Sequence, residues 1–86
     1  DGSIDGIPNF ILHKQYLRPW LQRMQQEIAL IKNDESDINA YGATNEAEFF
    51  AVVAEYFFER PDLLEQKHPE LYALLLQIFN PTQRLV

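Results

Sequence analysis

The sequence is 86 residues long, and its 47% hydrophobic and 13% aromatic content is too high for a disordered acidic tail. The absence of cysteine excludes disulfide bonds and every cysteine-ligated zinc or iron–sulfur site, and it favours a reducing, cytoplasmic location. Thirteen acidic residues against seven basic ones give a net charge of −6, and no apolar run is long enough for a membrane span, so we expect neither a nucleic-acid surface nor a membrane anchor.

Residues 1–9 are rich in glycine and proline, which predicts a turn-rich segment without a helical period. An apolar rhythm typical of one helical face then runs through Leu17, Trp20, Leu21, Met24, Ile28 and Ile31. Because an interior proline costs ~3 kcal/mol, we expect this helix to begin near Arg18, with Pro19 in its first turn. The residues expected to lie mostly in water are Gln22, Arg23, Gln25, Gln26 and Glu27.

The first helix is expected to end in the polar segment 33–37, interpreted as a solvated connector, and Gly42 is expected to be a flexible point in segment 38–44. A second helix is predicted from Asn45 to Glu59, a short helical turn over 61–66, and a last helix over 69–79. No strand pattern or internal repeat is present. The predicted fold class is all-α, with three main helices and a shorter one in a single helical domain or subdomain spanning residues 1–86.

The second helix carries an unusual line of acids. With residues spaced by about 100° around the axis, Glu48, Glu55 and Glu59 share one narrow stripe of a helix that is otherwise largely apolar, and such a helix is usually buried. One explanation is a narrow solvated face on which Glu48 completes a capping box with Asn45. The other is that one of these acids binds a cation whose remaining ligands lie elsewhere. The periodicity alone does not decide between them.

The segment Tyr41-Gly42-Ala43-Thr44-Asn45-Glu46-Ala47-Glu48-Phe49-Phe50-Ala51 closely resembles a segment of the lethal-factor-type zinc peptidases. Nearly the whole chain resembles the C-terminal part of the Mlc titration factor family, glucose-regulated bacterial metallopeptidases that are also called DgsA anti-repressors. The likeness includes residues 1–8, the tryptophan-bearing helix, and the segments 54–58, 61–63 and 81–85. The Tyr-Gly to Glu-Phe-Phe-Ala block is its specific part.

This resemblance implies a gluzincin-like, zincin-type site. In such enzymes a His-Glu-x-x-His helix supplies two zinc ligands and the general base, and a glutamate on a later helix supplies the third ligand. Glu48 matches that third ligand, and Tyr41 matches a tyrosine that assists the transition state as an oxyanion donor or acid. Glu55 lies two turns further along the stripe. It is then a candidate for a residue that does not bind the metal itself but orients a histidine that does.

The sequence departs from the family in lacking the His-Glu-x-x-His motif. Its two histidines, His13 and His68, are far apart, and we expect solvated or packing roles for them rather than metal ligation. In family members the missing helix lies shortly before the stretch that matches Asp1. The resemblance therefore implies that the chain is the C-terminal part of a larger peptidase domain and is inactive alone, with zinc held by the intact parent and a peptide as substrate.

Two other hypotheses remain open. The resemblance also implies capture of a partner, because the family is associated with the glucose repressor Mlc, and an acidic, aromatic-rich surface is typical of a module that binds a protein or associates with itself. The third hypothesis is a helical domain whose acids do no chemistry.

Overall fold

The computed structural model describes the backbone of residues 14–79 and the side chains of residues 17–79. Within this range the chain forms four α-helices and one short 3-10 helix, and it contains no strand. In chain order they are α1 (Lys14–Lys32), the 3-10 helix η1 (Ala40–Ala43), α2 (Glu46–Glu59), α3 (Pro61–Lys67) and α4 (Pro69–Phe79). The all-α prediction, with three main helices and a shorter one, is confirmed. The predicted turn-rich segment 1–9 and His13 lie outside the described residues.

Helix α1 begins at Lys14 rather than near Arg18, so the predicted start is wrong and Pro19 lies in the second turn. A proline there removes one backbone hydrogen bond, from residue 19 to residue 15, close to an end where the first N–H groups lack intrahelical partners anyway. Among residues 14–79 no helix combines the length and the apolar character needed to cross a bilayer.

The C-terminal end of α1 agrees with the prediction. The Glu35 N–H donates to the Leu30 carbonyl oxygen at 2.8 Å, and the Asp34 N–H donates to the Ile31 carbonyl oxygen at 3.0 Å. Asp34 adopts a φ of 60°, a left-handed conformation that glycine adopts most easily and that Asn and Asp tolerate better than other residues. This Schellman arrangement satisfies the last carbonyls of α1 and turns the chain into the connector.

The core is formed where the apolar faces of the helices meet. The ring of Trp20 on α1 lies 5.7 Å, centroid to centroid, from the rings of both Phe49 and Phe50 on α2. Each α-helix contributes at least one fully buried large side chain, and these are Trp20, Phe49, Val53, Leu64, Leu71 and Leu75. Burying such a side chain contributes ~1.5–3 kcal/mol, so this cluster supplies the main driving force for folding.

Helix α2 buries only one face. Phe49, Val53 and Phe57 point into the core, whereas Phe58 is 65% exposed. Of the acidic stripe, Glu48 is half-buried, but Glu55 and Glu59 are exposed. The expectation of a helix buried nearly all round is therefore wrong, because the other helices pack against a single side of α2.

Gly42 packs η1 directly against α2. It is buried, and a Cβ atom added to it would lie 2.6 Å from Val52 Cγ2 and 3.6 Å from Phe49 Cα. The position needs glycine because there is no room for a methyl group. Gly42 is thus a packing contact, and the expectation that it is a flexible point is wrong.

We predict that Gly42→Ala destabilises the chain by about 1–2 kcal/mol, because the new methyl overlaps the stiff, β-branched side chain of Val52. Urea unfolding followed by circular dichroism measures the change in the free energy of unfolding. Val52→Ala removes the overlapping methyl, so in that background Gly42→Ala should cost markedly less. Equal costs in the two backgrounds would contradict the close packing.

Candidate functional site

The two principal residues of the predicted site lie where η1 packs on the first half of α2. Tyr41 is part of η1 and is 58% exposed, and Glu48 is in the first turn of α2 and is half-buried. Tyr41 is followed by Gly42, and Glu48 is followed by Phe49. Gly42 and Phe49 pack closely together at this junction. The fold therefore brings Tyr41 and Glu48 to one junction. Glu55, two turns further along α2, is exposed and lies away from it.

Two asparagines hold the backbone of these residues. The Oδ1 atom of Asn39 accepts a hydrogen bond from the Tyr41 N–H at 2.8 Å and starts η1. The Oδ1 atom of Asn45 accepts one from the Glu48 N–H at 2.9 Å and caps α2. The second bond is the N-cap half of the capping box expected from the sequence. Each candidate residue thus sits in a locally fixed backbone.

The Glu48 carboxylate is available for a ligand. Within the described range it takes part in no hydrogen bond or ion pair, and the N-terminal end of a helix favours a negative charge there. A half-buried carboxylate without a partner is the kind of oxygen donor that zinc accepts. However, residues 14–79 contain no group of three or more His, Cys, Asp or Glu side chains that could hold a metal ion. The described residues therefore fit the role of one zinc ligand and do not form a complete site.

A second polar group lies at the edge of the core, and it was not expected from the sequence. We call it the His68 cluster; it consists of Glu27 on α1, Asp37 in the connector, Tyr56 on α2 and His68 between α3 and α4. Nδ1 of His68 lies 3.1 Å from Glu27 Oε1, and Nε2 lies 2.6 Å from Asp37 Oδ1. The Tyr56 hydroxyl donates to Asp37 Oδ2, and its ring packs edge-on against the His68 ring at 6.0 Å between centroids.

This cluster corrects three expectations. Glu27, expected in water, is only 3% exposed, and the connector is not wholly solvated, because Asp37 binds into the core. His68 is 7% exposed, so of the two roles expected for it the packing role is correct and the solvated one is wrong. One sequence signal was present: Glu27 follows Met24 by three residues and Trp20 by seven, so it lies on the apolar face of α1. An acid on an apolar face needs a partner, but the sequence does not say which one.

The cluster is a bridge rather than a metal site. The two carboxylates face opposite nitrogens of one ring, so their oxygens diverge instead of meeting at one point. Glu27 Oε1 is close to His68 but has no hydrogen-bond partner in the described part of the chain, so this contact acts through charge when the ring is protonated. Arg23 adds a second positive group, with Nε 3.8 Å from Glu27 Oε2.

The protonation of Asp37 and Tyr56 follows from their contacts. Partial burial by itself would raise the pKa of Asp37, but hydrogen bonds from Tyr56 and His68, together with the charge of His68, lower it below its ordinary value. Burial and the adjacent Asp37 carboxylate raise the pKa of the Tyr56 hydroxyl above its ordinary range. Asp37 is therefore ionised and accepts hydrogen bonds. The Tyr56 hydroxyl stays protonated and donates a hydrogen bond to Asp37.

We predict that Asp37→Asn lowers the free energy of unfolding by about 1–3 kcal/mol at neutral pH, and that this cost shrinks as the pH falls below the ordinary carboxyl pKa of 3.8. A carboxyl whose pKa is lowered by folding contributes stability above its unfolded-state pKa, and that contribution is lost as the pH falls through the folded-state pKa. Urea titrations between about pH 7 and about pH 3 measure the difference. The exposed Glu65→Gln variant is the control with little effect at any pH. A cost that stays constant over the whole range would be inconsistent with an ionised, hydrogen-bonded Asp37.

Comparisons with known proteins place this geometry in context. Residues 1–80 match the family model described as glucose-regulated metallo-peptidase M90. The chain is 33% identical to Mlc titration factor A of Pectobacterium atrosepticum over 91 residues, which cover 98% of this chain and 34% of that protein. The corresponding protein of Edwardsiella ictaluri is 35% identical over 98% of the chain and 35% of its own length. That of Escherichia fergusonii is 42% identical over 76% of the chain and 25% of its own length.

The chain spans about a third of the length of the first two of these curated relatives. No solved structure matches it.

Proposed function

Since the chain belongs to the glucose-regulated metallo-peptidase M90 family, we propose that it forms part of the peptidase unit of a longer zinc-dependent enzyme. Its part is to supply Glu48 as the third zinc ligand and Tyr41 as the group that faces the reacting carbonyl. The observation that carries this proposal is that two elements packed on each other carry the exposed Tyr41 and the half-buried Glu48, whose carboxylate has no partner among residues 17–79. That junction lies in the segment with the most specific resemblance to zinc peptidases.

The remaining ligands belong, on this proposal, to a His-Glu-x-x-His helix elsewhere in the parent protein. Two findings support a shared site: residues 14–79 hold no complete ligand group, and the chain spans only about a third of its relatives. We accordingly expect the chain by itself to bind zinc weakly and to hydrolyse no peptide. Glu55 is proposed to orient a ligand histidine that approaches the exposed side of α2.

The residues of this chain have separable roles in the proposed reaction. When bound, zinc polarises the scissile carbonyl and lowers the pKa of a coordinated water towards ~7. Glu48 contributes a carboxylate oxygen from a helix turn that Asn45 holds in place. Tyr41 projects from η1 with its side chain accessible, and its phenol donates a hydrogen bond to the peptide oxygen as negative charge develops there.

We predict that Glu48→Gln in the full-length protein abolishes stoichiometric zinc binding and reduces peptide hydrolysis to background, because an amide oxygen carries no charge and is a poor zinc ligand. Metal content after dialysis and a peptide-cleavage assay measure the two effects. Glu59→Gln, on the same stripe but exposed and outside the proposed site, should leave both unchanged. Full zinc occupancy in Glu48→Gln would refute the assignment.

A second candidate function is binding of an Mlc-like repressor. It is favoured by the name of the relatives, Mlc titration factor A, and by an exposed aromatic surface at the end of α2. There Phe58 is 65% exposed, its ring centroid lies 4.7 Å from that of Phe79, and exposed Glu55 and Glu59 lie nearby on the same helix. Exposed aromatic side chains with charged neighbours are typical of protein-binding surfaces.

If this surface binds the repressor, we predict that Phe58→Ala in the full-length protein weakens binding to purified Mlc at least about tenfold, as expected for an aromatic anchor. Isothermal titration calorimetry measures the affinity. Leu30→Ala, another exposed apolar position but on α1, is the matched control. Binding that is unchanged by Phe58→Ala argues against this surface. Sedimentation of the isolated chain separately tests self-association.

A further inference from the structure

We infer that the His68 cluster is a positioning device for Tyr41: Asp37, held by His68 and Tyr56, fixes the connector that leads into η1 and thereby sets the direction of the tyrosine. This inference rests on the proposed role of Tyr41 and deepens it. It assigns His68, Asp37 and Tyr56 a function that acts through another residue and involves no contact with substrate.

The backbone and the side chain of His68 are both held in place. Its N–H donates to the Leu64 carbonyl oxygen at 2.7 Å, and its carbonyl oxygen accepts from the Tyr72 N–H at 2.8 Å. The following Pro69 further restricts its backbone. The side chain is equally constrained, since Glu27 faces one ring nitrogen and Tyr56 covers the ring edge-on. The ring therefore presents Nε2 to Asp37 from a fixed position.

The connector is tied to this ring through Asp37. Asp37 uses both carboxylate oxygens, one for His68 Nε2 and the other for the Tyr56 hydroxyl. Releasing the connector would leave the buried His68 without its Asp37 partner, and a buried polar group that loses a partner is costly. The cluster thus holds together α1, the connector, α2 and the α3–α4 junction.

The residues between Asp37 and Tyr41 link the position of Asp37 to that of η1. The Ile38 side chain is buried, and its N–H donates to Ser36 Oγ at 3.1 Å. Asn39 then receives two hydrogen bonds from η1: the Tyr41 N–H donates to its Oδ1, and the Gly42 N–H donates to its carbonyl oxygen at 2.9 Å. These hydrogen bonds and the buried Ile38 side chain hold the connector between the His68 cluster and the start of η1.

The far end of η1 is held independently, because Gly42 packs against Val52 and Phe49 on α2. Two anchors, one before and one after Tyr41, define the orientation of the short helix. Loss of the first anchor is therefore expected to misdirect Tyr41 without detaching η1 from α2.

A double-mutant cycle in the full-length, zinc-loaded protein tests the inference. Asp37→Asn is expected to lower kcat about tenfold, as a misplaced catalytic group would, with KM and zinc content unchanged. In the Tyr41→Phe background the same substitution is expected to lower kcat less than about twofold, because the residue through which it acts is gone. Equal losses in both backgrounds would overturn the inference. Tyr56→Phe, which removes only the hydroxyl donor, should give a smaller loss of the same kind.

Hydrogen exchange measured by mass spectrometry supplies a readout that does not depend on activity. In Asp37→Asn the amides of residues 33–43 should lose more protection, relative to the unmodified protein, than the amides of α4 lose. Asp62→Asn is the control: it breaks the exposed pair in which Arg60 Nε lies 3.5 Å from Asp62 Oδ1 and should change neither kcat nor exchange in segment 33–43. Unchanged exchange of 33–43 in Asp37→Asn would overturn the positioning role.

The cycle also separates this inference from the proposed function. If Tyr41→Phe keeps full kcat, the proposed role of Tyr41 is wrong and the positioning inference falls with it. If Tyr41→Phe lowers kcat and Asp37→Asn does not, the proposed function stands and only the inference fails.

Discussion

The arrangement of this chain depends on one imidazole ring held between two carboxylates. His68 meets Glu27 with one nitrogen and Asp37 with the other, and all three lie in or beside an otherwise apolar core. Burying a polar group in an apolar core is costly unless it has a partner, and His68 has a carboxylate beside each ring nitrogen. Because the partners come from different parts of the chain, satisfying them also determines where those parts lie. The polar cluster and the buried side chain of Ile38 together specify the course of the connector.

Helix α2 combines two functions on different sides. Its buried side packs Phe49, Val53 and Phe57 into the hydrophobic core. Its first turn holds the Glu48 carboxylate, which has no partner among residues 17–79, and its neighbour η1 leaves Tyr41 exposed. The proposed function uses this arrangement, because a carboxylate held at the N-terminal end of a packed helix is suited to complete a metal site whose other side chains come from another part of a protein. Membership of a metallopeptidase family is consistent with such a division.

The separation between the His68 cluster and the Tyr41–Glu48 junction explains why the acidic residues of the chain behave differently. Glu27 and Asp37 are engaged by His68 and serve the interior, whereas Glu48 and Glu55 remain available to the outside. Their chemistry is the same, and their surroundings decide their roles. The segment 37–42 connects the two regions, with Asp37 at one end and Gly42 at the other.

The helices after the connector and the Tyr41–Glu48 segment could be recognised from local sequence signals. Asn45, Pro61 and Pro69 act on their own neighbours, so the bounds of α2 and α4 were predictable, and the Tyr41–Glu48 segment carried a specific family resemblance. The packing role of Gly42 and the sharing of His68 by Glu27 and Asp37 became visible only once the helices were packed together. Asp37 and His68 are 31 residues apart, and a polar pairing over such a distance leaves no periodic pattern in the chain. It arises only when packing of the apolar faces has brought the segments together.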